Sequence, residues 1–356
     1  MTHNDDKKYM QRCFDLAEKA RGNTYPNPLV GCVIVHDGVI IGEGYHHRAG
    51  ESHAEINAIN SVVRKDLLPQ STLYVNLEPC AHYGKTPPCS LAIIEHKISR
   101  VVIGCLDTYH EVAGKGIKLM QNAGIQVDVG VLEKESRALN CRFFTFHEKH
   151  RPYIILKWAQ TEDGFIDIAP DLKNDTKGLW ITDDICKKLV HEWRTQEQAI
   201  LVGTNTAEID NPQLTARLVH GKNPLRIVID LQNRLPKTLY VKDQTTPTLI
   251  FTQQHIDSKH NIEYAIIHNT DTMWEEILNE LYIRNIQSLI IEGGAQVLND
   301  VISKNIWDEM RIFKGPGFFM RGIHAPIINK TPDSTISIGN SKLSIFYNTH
   351  SCNVHM

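Results

Sequence analysis

Apolar residues along the first part of the chain recur with alternating helical and extended spacing. Met10, Cys13, Phe14, Ala17 and Ala20 follow one another at intervals of three or four, which predicts a helix over residues 6–20. Two apolar runs then flank Asp37-Gly38, a pair typical of a β-hairpin turn. The segments that follow read, in order, as a helix over 53–65, the strand STLYVNL, a helix from 89 to about 96, the strand RVVIGCL, a helix over 115–123 and the strand IQVDVGVL. Such alternation predicts an α/β layer.

A charged segment that ends in proline, TFHEKHRP, interrupts this pattern and indicates a domain boundary. We therefore predict two domains, residues 1–148 and 149–356. Beyond the boundary the alternation restarts, with strands YIILKWAQ, AILVG, LRIVID, PTLIF and SLIIEGG and helices over 182–193 and about 271–284. The second half is accordingly predicted to be another α/β domain.

Composition excludes several classes of protein. The chain has 356 residues, of which 42% are hydrophobic and 22% charged, so it can bury a sizeable core and is not disordered. Its net charge of −3 argues against a nucleic-acid partner bound through a broad basic face. No apolar run is long enough to span a membrane, and the first residues lack the apolar core of a signal peptide. We therefore expect a cytoplasmic protein with no membrane or nucleic-acid partner.

Two of the eight cysteines stand apart from the others. Eight cysteines in a chain of this length are too few for a disulfide framework, and six of them are isolated in mostly apolar surroundings. Cys80 and Cys89, however, lie nine positions apart in a segment rich in proline, glycine and histidine. In a reducing compartment, paired cysteines of this kind indicate metal binding or catalysis.

The strongest motif combines this pair with His53-Ala54-Glu55. Zinc takes nitrogen and sulfur ligands, and a catalytic zinc uses three of them and keeps the fourth position for water. His53, Cys80 and Cys89 supply such a set. Ser52 is the expected N-cap of a helix that begins at His53, and Pro87-Pro88 suits the entry to a helix that begins near Cys89. Both ligand segments would then lie at helix N-termini, whose partial positive charge stabilises thiolates.

Glu55, two residues after His53, can reach water at the metal without being a ligand. A carboxylate in that place can take a proton from the water and deliver it to departing ammonia. The order H-x-E followed by P-C-x-x-C is typical of zinc-dependent nucleobase deaminases, although eight residues separate the two cysteines here. The alternatives are a structural zinc, for which His82 could supply a fourth ligand, and a buried cysteine pair.

Three stretches carry a resemblance to a known family: NTYPNPLVGCVIV, GYHHRAGESHAE and LYVNLEPCAHYGKTPPC. They resemble the deaminase half of the bifunctional deaminase/reductases of riboflavin biosynthesis, whose long TPPC loop differs from that of transfer-RNA and cytidine deaminases. The resemblance implies a cytidine-deaminase-like three-layer α/β/α domain that hydrolyses a ring amino group of a diaminohydroxy-phosphoribosylamino-pyrimidine. It also implies four substrate contacts, namely Asn27, His46, His82 and Lys85.

Two positions depart from this family pattern. The family usually has Pro where this chain has Ser52. It often has Asp-Pro-Asn-Pro where this chain reads Asp107-Thr108-Tyr109-His110. For His46 taken alone, an exposed loop histidine is an equally good interpretation.

The second half has no Rossmann fingerprint, but SLIIEGGAQVL runs from a buried strand through Gly293-Gly294 into a helix. Glycines there would let the backbone approach an anion, and the helix N-terminus would supply donors. The alternative is a tight strand-to-helix turn with no ligand. Lys157 lies inside an apolar strand, where its charge needs a partner or a task, and Glu292 is the candidate partner. An edge-strand lysine facing solvent is the alternative.

These features resemble the reductase half of the same family, which has a dihydrofolate-reductase-like α/β fold and uses NADPH to reduce a ribosyl group to ribityl. The resemblance implies that Lys157 supplies or orients a proton. It implies the cofactor contacts Ala159, Trp180, Thr206, Asp210, Leu231, Gly293, Gly294, Ala295 and Gln296. It implies the substrate contacts Gly178, Arg194, Leu214, Arg217 and Glu292. The family usually has Ser at position 178. Thr206, Asp210 and Arg217 are predicted to lie on one polar loop.

We therefore expect a bifunctional enzyme with one Zn²⁺ and NADPH as cofactors and a small phosphorylated pyrimidine as substrate. Family resemblance also suggests a homo-oligomer. Two other hypotheses remain, a nucleic-acid base deaminase with an accessory nucleotide-binding domain and a non-catalytic zinc module joined to a nucleotide sensor. The last of these predicts that Glu55 is dispensable.

Overall fold

The computed structural model describes residues 3–81, 83, 87–107, 114–169 and 180–349. They divide into two compact units, of which the first runs to Lys149 and the second begins at His150. No helix in these ranges is both long enough and apolar enough to cross a membrane.

The first unit is built on a five-stranded sheet in the order β2-β1-β3-β4-β5. Its strands are β1 (Gly31–His36), β2 (Val39–Tyr45), β3 (Thr72–Leu77), β4 (Arg100–Cys105) and β5 (Gln126–Val129). Its helices are α1 (His3–Glu18), α2 (Ala54–Ser61), α3 (Cys89–Glu95), α4 (Lys115–Asn122), α5 (Glu133–Leu139) and α6 (Cys141–Lys149). Strand β1 pairs antiparallel with β2 and β3, whereas β3, β4 and β5 run parallel.

Alternating side chains divide this sheet between two helical layers. Ile34, Val75 and Ile103 point to the face covered by α2, α3 and α4. Their neighbours Val33 and Tyr74 point to the opposite face, which α1 and α5 cover. The unit is thus the predicted three-layer α/β/α domain, and each face has its own apolar core.

The predicted hairpin and most of the predicted elements of this unit are confirmed. Asp37 and Gly38 both have positive φ, as the hairpin turn between β1 and β2 requires. The helix predicted over 53–65 is shorter, however, because α2 ends at Ser61 and a 3₁₀-helix follows over Lys65–Gln70. The charged segment at which the domain boundary was predicted is helical as far as Lys149, since the aromatic residues of α6 are buried.

The second unit is built on a nine-stranded sheet in the order β11-β10-β9-β8-β12-β6-β13-β16-β15. The strands are β6 (Tyr153–Gln160), β7 (Phe165–Ile168), β8 (Ala199–Gly203), β9 (Leu225–Ile229), β10 (Thr248–Thr252), β11 (Ile262–Ile266), β12 (Ser288–Ile291), β13 (Glu309–Lys314), β14 (Gly322–His324), β15 (Ser334–Ile338) and β16 (Ser341–Tyr347). The helices are α7 (Asp184–Gln196), α8 (Thr204–Asp210), α9 (Met273–Ile283) and α10 (Ala295–Ser303). Strands β7 and β14 form a separate pair.

Neighbouring strands from β11 to β13 run parallel, and β16 and β15 close that sheet with antiparallel pairs. Leu156 and Trp158 of β6 point into a core shared with α9 and α10. Ala159 points to the other face, where α7 packs through Cys186 and Val190. Strand β6 lies in the interior of the sheet, between β12 and β13, and its side chains point alternately to the two faces of the sheet. The predicted α/β class is confirmed for both units.

Helix α2 packs so closely on β2 that only glycine fits at one position. A Cβ atom on Gly44 would lie 2.4 Å from the backbone nitrogen of Ala58 and 2.7 Å from the carbonyl oxygen of Ala54. Both contacts are with backbone atoms, which cannot rotate away. The absence of a side chain at Gly44 therefore sets the position of the helix that follows His53.

Gly44→Ala is expected to push α2 off the sheet and to lower the free energy of unfolding by about 1–3 kcal/mol, as overpacking usually does. Zinc content should fall with it, because His53 moves with α2. Thermal unfolding and metal analysis of the purified protein check this. Gly317→Ala is the matched control, since a Cβ there meets nothing within 4 Å. Wild-type zinc content and stability in Gly44→Ala would contradict the packing account.

Candidate active sites

The first candidate site lies where α2 begins. Ala54 is the first helical residue, and His53 is the N-cap in an extended conformation (φ −72°, ψ 165°). The prediction that Ser52 caps a helix starting at His53 is therefore wrong by one residue. His53 makes no side-chain cap hydrogen bond, so its imidazole is not used to cap α2.

The two cysteines of the motif meet at the start of α3. Pro88 is the N-cap of this helix and Cys89 is its first residue, as predicted. The backbone N–H of Cys89 donates to Cys80 Sγ at 3.3 Å, and that of Ser90 donates to the Cys80 carbonyl at 3.2 Å. These bonds hold Cys80 against the helix although nine positions separate the two cysteines.

His53 completes a triangle with the two thiols. Its Nδ1 lies 3.6 Å from Cys80 Sγ and 3.3 Å from Cys89 Sγ, and all three ligand atoms lie within 4.8 Å of one another. A tetrahedral zinc with ordinary Zn–N and Zn–S bonds separates such atoms by about 3.5 Å. The donor set and its spacing therefore fit zinc.

The charges at this triangle are strongly coupled. Hydrogen bonds from Cys89 and His53 lower the pKa of Cys80 to about 4, although burial opposes them. The bond to Cys80 raises the pKa of His53 to about 9. Cys89 has its pKa raised by its bond to Cys80 and by burial. The hydrogen bonds from Cys89 and His53 therefore favour the thiolate form of Cys80.

Glu55 lies beside these ligands and is 3% exposed. Burial raises the pKa of Glu55 to about 7, and the negative charge of Cys80 adds to this effect. A carboxyl group with a pKa near neutrality can both accept and donate a proton. The structure therefore places a proton-transfer group next to the predicted metal ligands.

Asn27 and His46 form a hydrogen-bonded pair near the same ligands. His46 Nδ1 lies 3.1 Å from the Ser52 carbonyl, which can only accept, so Nδ1 carries the hydrogen. His46 Nε2 then accepts from Asn27 Nδ2 at 3.0 Å. His46 is 2% exposed and its ring packs edge-on against that of His53, so it is not an exposed loop residue. His82 and Lys85, the other two predicted contacts, lie outside the described residues.

The second candidate site centres on Glu292, the residue that follows β12. Lys157 Nζ lies 3.7 Å from Glu292 Oε2, as the sequence predicted. Arg194 binds the same carboxylate with both ends of its guanidinium, Nη2 at 2.9 Å and Nε at 3.3 Å. Because β6 is an interior strand and the Lys157 side chain is 16% exposed, the edge-strand alternative is wrong.

Burial and charge act in opposite directions on this group. Burial lowers the pKa of Lys157, although Glu292 partly offsets it. Burial would raise the pKa of Glu292, but the positive charges of Arg194 and Lys157 prevail and lower it to about 2. Glu292 is therefore ionised at neutral pH, and Lys157 gives up its proton more readily than an exposed lysine.

One neighbouring residue was missed in the sequence. His191 precedes Arg194 by three residues on α7, and its Nδ1 accepts from the backbone N–H of Leu218 at 3.4 Å. Burial and the charges of Arg194 and Arg217 lower the pKa of His191 to about 4. The helical spacing of His191 and Arg194 in HEWR could have revealed it.

The loop after α8 brings its residues toward Arg194. Arg194 Nη1 donates to the carbonyl of Thr215 at 3.0 Å. Leu214, one residue earlier, is buried with a positive φ of 57°, and Arg217 is exposed. Leu214 and Arg217, two predicted substrate contacts, thus lie on either side of Thr215 in sequence. The Thr215 carbonyl accepts from Arg194, a third predicted substrate contact.

The predicted phosphate-binding turn lies where two helices begin. Gly294 is the N-cap of α10, whose first turn contains Ala295 and Gln296. A Cβ on Gly294 would lie 3.0 Å from Thr206 Oγ1, and one on Gly293 would lie 3.2 Å from Val297. Glycines at this turn therefore let α8 and α10 start close together.

Helix α8 corrects one prediction about this region. Thr206 and Asp210 lie on α8 rather than on a polar loop, and only Arg217 lies on the loop that follows. The helix is short and polar, with Ala207 as its buried residue, so its apolar periodicity is too weak to read. Leu231, another predicted cofactor contact, follows β9 by two residues.

Trp180 and Ala159 are the remaining predicted cofactor contacts. Ala159 shares a face of β6 with Lys157. Trp180 is 64% exposed, and Lys187 Nζ lies 4.0 Å from the centroid of its ring. Trp180 lines a cleft of about 390 Å³ together with Thr161, Ile168, Asp183, Phe318 and Phe319. Gly178, a predicted substrate contact, lies outside the described residues.

Two family models match the chain, one for each unit. The cytidine and deoxycytidylate deaminase zinc-binding region matches residues 3–105, and the RibD C-terminal domain matches residues 152–328. With the His/Cys/Cys group, these matches define a zinc-dependent deaminase joined to an NADPH-dependent reductase.

Whole-chain relatives make the assignment specific. The riboflavin biosynthesis protein RibD of Aquifex aeolicus is 39% identical over 325 residues, which cover 89% of each chain. That of Synechocystis is 38% identical and covers 90% of this chain and 87% of its own. The chain belongs to the RibD family, the bifunctional deaminase/reductases of riboflavin biosynthesis.

Solved structures agree with this assignment. The diaminohydroxyphosphoribosylaminopyrimidine deaminase/5-amino-6-(5-phosphoribosylamino)uracil reductase of Thermotoga maritima is 36% identical, with a TM-score of 0.86, and the match covers 97% of this chain and 99% of that one. RibD of Acinetobacter baumannii is 29% identical with a TM-score of 0.84 and the same coverage. The predicted family, fold and bifunctional activity are confirmed, and the nucleic-acid deaminase alternative is not favoured.

Proposed function

We propose that this enzyme hydrolyses the ring amino group of 2,5-diamino-6-(5-phosphoribosylamino)pyrimidin-4(3H)-one and then reduces the ribosyl chain of the resulting uracil to ribityl. The observation that carries the first step is the His53–Cys80–Cys89 triangle with buried Glu55 beside it. The two reactions named for the Thermotoga maritima relative support the order of steps.

In this proposal His53 Nδ1 and the sulfurs of Cys80 and Cys89 are the zinc ligands. Three is the number of protein ligands typical of a catalytic zinc, and the group found among the described residues has three members. A bound zinc would act as a Lewis acid and lower the pKa of a coordinated water. The lowered pKa of Cys80 favours the thiolate, which is the form that binds zinc.

Glu55 is the proposed proton carrier of the deamination. It takes one proton from the water that adds to the ring carbon and passes it to the adjacent ring nitrogen, and it then moves the remaining hydroxyl proton to the amino nitrogen. The C–N bond breaks, ammonia leaves and a ring carbonyl remains. Its pKa near 7 suits both transfers, since neither protonation state is strongly favoured.

Asn27 is the proposed recognition group for the pyrimidine edge, and His46 positions it. Because His46 Nε2 accepts from the Asn27 amide nitrogen, this hydrogen bond fixes the orientation of the Asn27 side-chain amide. His46 is too buried to offer a large contact surface of its own. His82 and Lys85 are proposed as substrate contacts on the family resemblance.

Glu55→Gln is expected to retain zinc and to lose ammonia release by at least a hundredfold, because the amide keeps the shape but cannot carry the proton. Zinc content and ammonia from the diaminopyrimidine are measured together. Glu51→Gln, an exposed change four residues earlier, is the matched control. Ammonia release at the wild-type rate in Glu55→Gln would overturn the proposed mechanism and favour a non-catalytic zinc.

The proposed NADPH site lies along the nine-stranded sheet where its parallel strands β6, β12, β8 and β9 end. NADPH would supply the hydride to the open-chain carbonyl or imine carbon of the substrate. Gly293, Gly294, Ala295 and Gln296, with Thr206 beside them, would hold its diphosphate through backbone and hydroxyl donors. Asp210, Leu231, Trp180 and Ala159 are the other proposed contacts.

The substrate phosphate end is proposed to lie near Arg194 and Arg217. A guanidinium binds two phosphate oxygens at once, and Arg217 is exposed and available for this. Leu214 and Gly178 complete the proposed substrate contacts. Glu292 would hold Arg194 and Lys157 in place, and Lys157 would give the proton that balances hydride addition.

Lys157→Ala is expected to slow NADPH oxidation on the deaminated substrate by at least tenfold, while ammonia release from the diaminopyrimidine continues. The reason is that the proton donor is removed from one site only. Absorbance of NADPH at saturating substrate measures the effect. Lys304→Ala, an exposed lysine at the end of α10, is the control. Unchanged oxidation in Lys157→Ala would exclude the proposed role.

We further propose residues 1–148 as the deaminase domain and 149–356 as the reductase domain. A cytoplasmic location is supported by the free thiols of the described cysteines, which suit a reducing compartment. A homo-oligomer is supported by exposed β15, the outermost strand of the nine-stranded sheet in the described residues, beside which a second copy would pair.

A further inference from the structure

None of the cofactor contacts proposed above has a positively charged side chain that would distinguish NADPH from NADH. The two cofactors differ by the phosphate on the 2′-oxygen of the adenosine ribose. A residue that distinguishes them must therefore offer positive charge and hydrogen-bond donors at the adenosine end of the site. The order of strands indicates where the adenosine end lies, and this inference rests on the proposed NADPH site.

The nicotinamide must lie near Lys157 on β6, and the diphosphate near Gly294 after β12. The order β6-β12-β8-β9 then carries the adenosine past β8 toward the end of β9. Thr204 Oγ1 donates to the carbonyl of Ile229 at 2.6 Å, so the start of α8 touches the end of β9. The adenosine ribose is thus expected over α8 and the segment after Ile229.

The acidic residue that follows β9 is turned inward. Asp230 is fully buried, and its carboxylate accepts from the backbone N–H groups of Arg234 and Leu235, both at 3.1 Å. Lys242 Nζ lies 3.8 Å from the same carboxylate. In dinucleotide sites that prefer NAD, an acidic residue beyond a strand binds the ribose 2′-hydroxyl. Asp230 is unavailable for that, because its oxygens hold the turn that presents Arg234.

Arg234 is an exposed cation in the segment after β9. Its Nη2 donates to Asn205 Oδ1 at 2.6 Å, and its Nη1 pairs with Glu208. Both partners lie on α8, the helix whose Thr206 lies beside Gly294. The side chain of Arg234 is 42% exposed, and a guanidinium has five N–H groups, so donors remain for a second anion.

We propose that Arg234 binds the 2′-phosphate of NADPH and is the residue that selects it over NADH. Asn205 and Glu208 hold the guanidinium above α8 before the cofactor arrives. Its remaining N–H groups then meet phosphate oxygens. NADH has a hydroxyl at the same place and gains little from this contact.

Binding of 2′,5′-ADP and of 5′-AMP, measured by calorimetry on the full-length enzyme, tests this without turnover. Arg234→Gln is expected to weaken 2′,5′-ADP by about tenfold or more and to leave 5′-AMP within about twofold. NADPH and NADH should show the same difference. Arg284→Gln is the matched control, since this arginine follows α9 and pairs with Glu263 and Glu280.

Glu208→Gln separates recognition from a bracing role. It removes the same ion pair but keeps the guanidinium, so 2′,5′-ADP should bind as tightly as to wild type or more tightly. If Arg234 only braces α8, Arg234→Gln and Glu208→Gln will weaken 2′,5′-ADP and 5′-AMP equally, and the proposal fails. Unchanged 2′,5′-ADP affinity in Arg234→Gln also overturns it. A wild-type enzyme without preference for 2′,5′-ADP would overturn the proposed NADPH site as well.

Discussion

The hydrogen bond from the Cys89 backbone to Cys80 Sγ joins two segments that nine positions of sequence separate. It places both thiols at the start of α3, where they face the imidazole of His53. Closing such a loop costs conformational entropy. Backbone hydrogen bonds to Cys80 and the proline N-cap of α3 offset part of this cost before any metal binds. The deaminase chemistry therefore depends on helix starts that bring three ligand atoms to tetrahedral spacing.

The second site depends on one carboxylate in a comparable way. Glu292 is ionised and pairs with both Arg194 and Lys157, so each cation loses a partner if it is removed. Unpairing a buried charge costs about 3–5 kcal/mol. The pairing of Lys157 with Glu292 avoids this cost, which explains why a lysine is tolerated inside β6. The group is held at the end of β12, directly before the glycine turn, so the proposed substrate and cofactor contacts share one strand-to-helix connection.

Sequence alone revealed the residues whose chemistry is unusual for their surroundings. His53, Glu55 and the cysteine pair form a spaced motif, and Lys157 interrupts an apolar strand. It could not reveal features that depend on three-dimensional contacts. Helix α8 is too short and polar to show periodicity, and the burial of His46 behind Asn27 depends on the Ser52 carbonyl. The spacing in HEWR places His191 on the helix face of Arg194, but it does not indicate the hydrogen bond from the Leu218 backbone.

We infer that the chain has two catalytic sites and that the first needs zinc whereas the second does not. Cys80→Ser tests it most directly when zinc content, ammonia release and NADPH oxidation on supplied deaminated substrate are measured on one preparation. Cys141→Ser, a buried cysteine of α6 outside the ligand group, is the control. We expect Cys80→Ser to lose zinc and ammonia release while NADPH oxidation continues at the wild-type rate. Full zinc occupancy, or loss of NADPH oxidation together with ammonia release, would contradict it.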